Sequence, residues 1–88
     1  MSNHHGLKCF SDNFQPIVDG HKKATVRFND RNYQVGDTIT FKEGQNEVHG
    51  YDFTGREISA RISHIDDFGL MEGFVCLSLT DVGLMVVE

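Results

Sequence analysis

The stretch Lys23-Ala24-Thr25-Val26-Arg27-Phe28-Asn29 alternates polar and apolar residues without a break. A period of two puts Ala24, Val26 and Phe28 on one side of the chain and Lys23, Thr25, Arg27 and Asn29 on the other, which is the pattern of a half-buried β-strand. Polar-out alternation is the default of an antiparallel sheet, so the Lys-Thr-Arg side reads first as a solvated face. Residues two apart on a strand are about 6.6 Å apart, close enough for Thr25 and Arg27 to line one wall of a cleft with Lys22 from the preceding turn.

Just upstream, Phe14, Ile17 and Val18 fall at helical spacing and form one apolar face. Ser11 or Asn13 can cap that helix. Pro16 favours the later start, because a proline in the first turn gives up an N–H that has no helical partner there. Gly20 ends the helix after about two turns. Before it, Leu7-Lys8-Cys9-Phe10 reads as a short strand.

Downstream, Asn29-Asp30-Arg31-Asn32 is a turn, and Asp30 serves as turn chemistry. Tyr33 and Val35 lead into a second turn at Gly36-Asp37. Thr38-Ile39-Thr40-Phe41 is a strand closed by Glu43-Gly44, and residues 45–53 are ambiguous. Thr54-Gly55-Arg56 reads as a turn. Ile58, Ala60, Ile62 and His64 or Ile65 mark a long strand broken by Asp66-Asp67-Phe68-Gly69. Phe74 to Leu79 is the last clear strand, and Val82 to Val87 extends an edge. Short strands at regular spacing with one early helix predict a single α+β domain over residues 1–88, a small barrel-like sheet of about five to six strands with the helix packed at one side.

Composition narrows the function. The 88 residues carry a net charge of −5, which opposes indiscriminate binding to nucleic acid. Residues 1–31 nonetheless hold five cations against three acids, while residues 32–88 hold three cations against ten acids. A local basic site on an acidic body suits a specific anionic ligand better than a long duplex. No apolar run is long enough to span a membrane, and the N-terminus lacks the pattern of a signal peptide, so a cytoplasmic location with Cys9 and Cys76 as reduced, space-filling thiols is expected. His4, His5, His21, His49 and His64 show no metal-ligand spacing, and neither a metal nor a cofactor is expected.

The segment Gly20-His21-Lys22-Lys23-Ala24-Thr25-Val26-Arg27 resembles the G-x-K-x-x-x-x-R motif of ASCH domains, relatives of the RNA-associated PUA fold. His5-x-Leu7-Lys8, Arg27-x-Asn29-Asp30-Arg31, Tyr33-x-Val35-Gly36-Asp37, Thr54-Gly55-Arg56, Phe68-Gly69-Leu70 and Gly73-Phe74 extend the likeness, in order, to a small ASCH-like family of unassigned function found in phages and bacteria. The resemblance implies a PUA-like pseudo-barrel. Its motif carries over to Lys22 and Arg27 as contacts for RNA or a modified nucleoside, with Lys23, Arg31 and Lys8 extending the patch. Most ASCH motifs have Glu where Thr25 stands. Thr at that place is similar to amidohydrolases acting on N4-acetylcytidine, in which a Lys and a Thr of this motif work with a Glu from a later helix. That likeness implies Thr25 as nucleophile and Lys22 as base. The later helix has no counterpart here, and Glu72 is the nearest residue for the third role. Ribonuclease activity, known among ASCH proteins, and docking onto a host protein through an apolar patch complete the alternatives. Tyr33 reads as a core aromatic with an exposed hydroxyl, or as a stacking platform for a base.

Overall fold

His5, Leu7 and Cys9 point inward from a first strand that is longer than its apolar core suggests: β1 spans His4–Phe10 and alternates exposed and buried along its whole length. The computed structural model describes residues 3–85, with side chains through Gly83. After β1 come α1 (Ser11–Val18), β2 (Ala24–Phe28), β3 (Thr38–Glu47), β4 (Gly50–Asp66) and β5 (Phe74–Met85). They form one five-stranded sheet in the order β1-β3-β4-β5-β2. β1 runs parallel to β3, and the other neighbours are antiparallel. The expected α+β layout with one early helix is present. The sheet stays open, with no backbone ladder between β1 and β2.

Helix α1 packs on β1, β3 and β5. Phe14 and Ile17 are fully buried there with Ile39, Phe41, Ile58, Ile62 and Leu77. The helix begins at Ser11 rather than Asn13, so Pro16 lies in its interior and not in its first turn. The lost N–H would have served the carbonyl of Asp12, a residue on the exposed side of the helix. No side chain caps the N-terminus; Ser11 hydrogen-bonds Glu43 instead. At the other end Gly20, at φ 80°, closes a Schellman turn. His21 N–H donates to the Pro16 carbonyl (3.0 Å) and Gly20 N–H to that of Ile17 (3.1 Å). Lys22 N–H also donates to Pro16 (3.0 Å), so the helix end fixes where Lys22 stands.

The middle of the chain departs from the reading of Glu43-Gly44 and Thr54-Gly55-Arg56 as ends and turns. β3 and β4 run through both, and residues 45–53 form their hairpin. The pairing jumps from Lys42↔Glu57 to Gly44↔Phe53, leaving Thr54, Gly55 and Arg56 opposite Glu43 alone. This bulge wraps the acid. The Thr54 hydroxyl donates to Glu43 Oε1 (2.7 Å), and Arg56 donates to both carboxylate oxygens (2.9 and 3.1 Å) and to Gln15 Oε1 of α1 (2.9 Å). The guanidinium also lies 5.0 Å from the centre of the Phe14 ring. Arg56, ion-paired to Glu43 within the sheet, thus also ties the helix to the sheet through Gln15. Gly44 is needed for a separate reason: a Cβ there would collide with the Asp52 carbonyl and the Tyr51 ring.

Gly36-Asp37 is a turn with a second role. Asp37 is 1% exposed and accepts from Asn3 N–H (2.9 Å), Gln34 N–H (3.0 Å) and the His5 ring (2.8 Å). In the turn after β2 the side-chain bond comes from Asn29 rather than Asp30: Asn29 Oδ1 accepts from Tyr33 N–H (3.0 Å), while Asp66 Oδ1 accepts from Phe68 N–H (3.0 Å) in an Asx turn after β4. β5 continues past Leu79 to Met85, paired with β4. Val86 and Val87 of the expected edge extension lie outside the described residues.

β2 inverts the default reading of its alternation. Thr25 is 7% exposed, whereas Val26 and Phe28 are 52% and 55% exposed. The apolar row lies on the outside, where Phe28 packs edge-on against Phe74 (5.4 Å) and over Gly73. β2 pairs only with β5, and the core is already filled from the other strands and α1.

Two tests address the Glu43 cluster. Its hydrogen bonds from Arg56, Thr54 and Ser11 lower the Glu43 pKa to about 2, against roughly 4.3 in an unfolded chain. The resulting stabilisation is complete above about pH 5 and is lost as the pH falls through about 4 toward 2. Urea midpoints across the acid range should show that loss, and Glu43→Gln should flatten it while costing about 1–3 kcal/mol at neutral pH. Gly44→Ala should lower stability by about 2 kcal/mol or more through overpacking, read from the same denaturation curves.

Candidate functional site

The two edge strands of the sheet, β1 and β2, face each other across a cleft. One side chain spans it. Arg27 Nη2 donates to the Lys8 carbonyl (3.3 Å), and its Nε donates to Thr25 Oγ1 (3.4 Å). The guanidinium also sits 5.8 Å from the centre of the buried Phe41 ring. Both hydrogen bonds are long, and Arg27 lines the cleft on either side of this bridge.

On one side of this bridge lies a cavity of about 530 Å³. Its walls are Lys8, Cys9 and Phe10 of β1, Asn13 and Ile17 of α1, Lys22, and Thr25 to Arg27 of β2; Asn46 and Tyr51 close it. Three of these are cations and none is an acid or a histidine. Burial raises the pKa of the Cys9 thiol, against the opposing charges of Arg27 and Lys22. Leu79 N–H donates to the Lys23 carbonyl (2.9 Å) and Asn29 N–H to that of Gly73 (2.8 Å). By antiparallel alternation, Thr25 and Arg27 turn their backbone groups to β5, and Val26 turns its own to the cleft.

Tyr51 anchors the far wall. Its hydroxyl accepts from Cys9 N–H (3.1 Å) and directs its proton at the carbonyls of Cys9 (3.1 Å) and Lys42 (3.0 Å). Lys8 Nζ lies 5.0 Å from the ring centre. Burial raises the Tyr51 pKa, so the hydroxyl keeps its proton.

On the other side of Arg27 is a second cavity of about 520 Å³, lined in part by Lys8, Arg27, Arg31, Lys42, Tyr33 and Phe53. The single acid in its lining is Asp30, 4.0 Å from Arg31 and exposed like it. Tyr33 is 4% exposed and packs edge-on against His5, so it is mainly a core aromatic.

Of the expected residues, Lys8, Lys22, Thr25 and Arg27 therefore meet at one cavity, and Arg31 joins Lys8 and Arg27 at the next. Lys23 is exposed and lines neither. Glu72, exposed in the segment before β5, lines neither as well. Among the described residues no hydrogen bond joins Lys22 to Thr25. Sequence reasoning missed Tyr51, Asn46 and Phe53, which lie in the stretch left ambiguous, and Lys42, which follows a strand taken to end there. A 44-glycine beside an aromatic at 51 was the available signal for the close packing. No group of three or more His, Cys, Asp and Glu suited to a metal occurs among the described residues, and no described helix is long and apolar enough to cross a membrane.

Two comparisons with known proteins bear on this chain. The chain is 36% identical over 78 residues to a protein of Escherichia phage P2 named "Uncharacterized 12.9 kDa protein in GpA 3'region", a match covering 88% of this chain and 68% of the phage protein. Residues 4–79 match a family described as "Domain of unknown function (DUF3850)". That span holds every side chain lining either cavity, and the chain belongs to the DUF3850 family.

Proposed function

We propose that the cleft between β1 and β2 binds RNA or a modified nucleoside, as the resemblance to ASCH and PUA-like domains implies. The observation that carries this reading is the convergence of Lys8, Lys22 and Arg27 on one concavity that contains no acid and has aromatic walls. A base can stack on the exposed ring of Phe10, beside Tyr51. Asn13, Asn46 and the Val26 backbone supply donors and acceptors for its edge, and the cations meet phosphate. On this reading the curled, open sheet is a PUA-like pseudo-barrel. Lys22→Ala should weaken binding to short single-stranded RNA about tenfold, ~1.4 kcal/mol, with an unchanged urea midpoint. Arg27→Ala should weaken it further, with some loss of stability, because Arg27 also braces the cleft. Equal affinity for both variants and the parent in salt-matched titrations would remove the reading.

A second reading, hydrolysis of an N4-acylated cytidine, is favoured by one observation: the nearly buried Thr25 shares the cavity with Lys22. In that reaction Thr25 Oγ adds to the acyl carbonyl as Lys22 takes its proton. The C–N bond then breaks, the amine leaves protonated, and water releases the acid from the acyl-threonine. The cavity lining offers no carboxylate as a third group, and the Thr25 hydroxyl accepts from Arg27. Binding without turnover is the expected result: N4-acetylcytidine should release no acetate, and bound RNA should remain intact. Acetate release that Thr25→Ala abolishes would establish the amidohydrolase, and RNA cleavage that Lys22→Ala abolishes would establish a ribonuclease.

A further inference from the structure

Arg27 and Lys8 belong to both cavities, so the cleft is one path narrowed at a cationic bridge. Beyond the bridge the lining keeps the same net positive charge, with Arg31 and Lys42 in place of Lys22 and one exposed acid, Asp30. The Lys42 side chain reaches this place by lying against Gly6, where Cε and Nζ come within ordinary contact distance of a Cβ position (3.6 and 3.7 Å).

A row of rings accompanies the cations. Phe10 and Tyr51 lie 6.0 Å apart between centroids, and Tyr51 and Phe53 lie 4.8 Å apart. Phe10 and Tyr51 line the first cavity and Phe53 the second, so the row crosses the bridge. Phe10 is 45% and Phe53 57% exposed, which leaves ring surface for a partner. A free nucleoside would occupy one cavity and leave the charges of the other unmatched. An acidic peptide would match the charges and leave the rings unused. A single strand of nucleic acid matches both, since its phosphates follow a basic groove while its bases stack on aromatic side chains.

We infer that the ligand of this cleft is a single-stranded oligonucleotide step rather than an isolated nucleoside, with one base in the first cavity, its phosphate over Arg27 and against Lys42, and the next base on Phe53. This rests on the reading of the first cavity as a nucleoside site and adds the second cavity to it.

Calorimetric titration with cytidine and with the dinucleotide CpC, each against the parent, Lys42→Ala and Phe53→Ala, separates the two claims. CpC should bind the parent about tenfold or more tightly than cytidine does. Both substitutions should bring CpC close to the cytidine affinity and leave cytidine binding unchanged. The CpC constant should fall with salt at a log–log slope of about −0.7, that of one phosphate. Equal affinities for cytidine and CpC, unaffected by either substitution, would overturn the two-cavity inference and leave the nucleoside site standing. Binding of neither, or binding of an oligoglutamate alone, would overturn both. Both variants, at half-buried Lys42 and exposed Phe53, should keep the parent's urea midpoint.

Discussion

Strands β1 and β2 are consecutive in the chain yet occupy opposite edges of one sheet, and that constraint shapes everything else. Only residues 11–23 connect them, and eight of these are wound into α1, which gains about 1.5 Å per residue. The sheet therefore has to curl until its margins approach. Bulges supply the curvature, at Lys42–Gly44 between β3 and β4 and at two places between β4 and β5. The Glu43–Arg56 cluster holds α1 within the curl, and Arg27 spans the gap that is left.

The same arrangement explains how an acidic chain carries a basic groove. Most of its cations precede residue 32, in the edge strands, the connection between them and the turn after β2, and most of its acids follow. Lys42 is added from β3, where it crosses β1 at Gly6. Surface charges more than about 8–10 Å apart are largely screened at physiological salt. The field inside the cleft is therefore set by its own lining and not by the net charge of −5. A polymer lying along the rest of the surface would meet mostly acids, while a short segment entering the cleft would not.

The helix, the chain reversals after Asn29 and Asp66 and the central strands were legible in the sequence because each depends on neighbours in the chain. Phe14, Ile17 and Gly20 announce α1, and Asn29 and Asp66 announce their turns. The long-range features were less so. Thr54-Gly55-Arg56 looks like a turn because its composition suits one, and only the buried Glu43 on the adjacent strand makes it a bulge. Pro16 argued for a later helix start, but Ser11 is held by Glu43 and the helix begins there. The alternation in β2 correctly indicated a strand without saying which face was inner, since that depends on the core being filled by other elements. The Lys22-Thr25-Arg27 grouping was legible through its motif. Tyr51 and Phe53 were not, because a hairpin around a glycine that admits a ring has no periodic signature of its own.

A sheet with two unpaired margins carries a standing hazard, since each is a template on which another chain can add a strand and begin a polymer. Here the hazard is contained by folding one margin toward the other. The exposed carbonyl of Lys8 is occupied by Arg27, and the backbone of Val26 looks into the groove rather than outward. The geometry that makes room for a ligand thus also guards the molecule against strand-by-strand self-association.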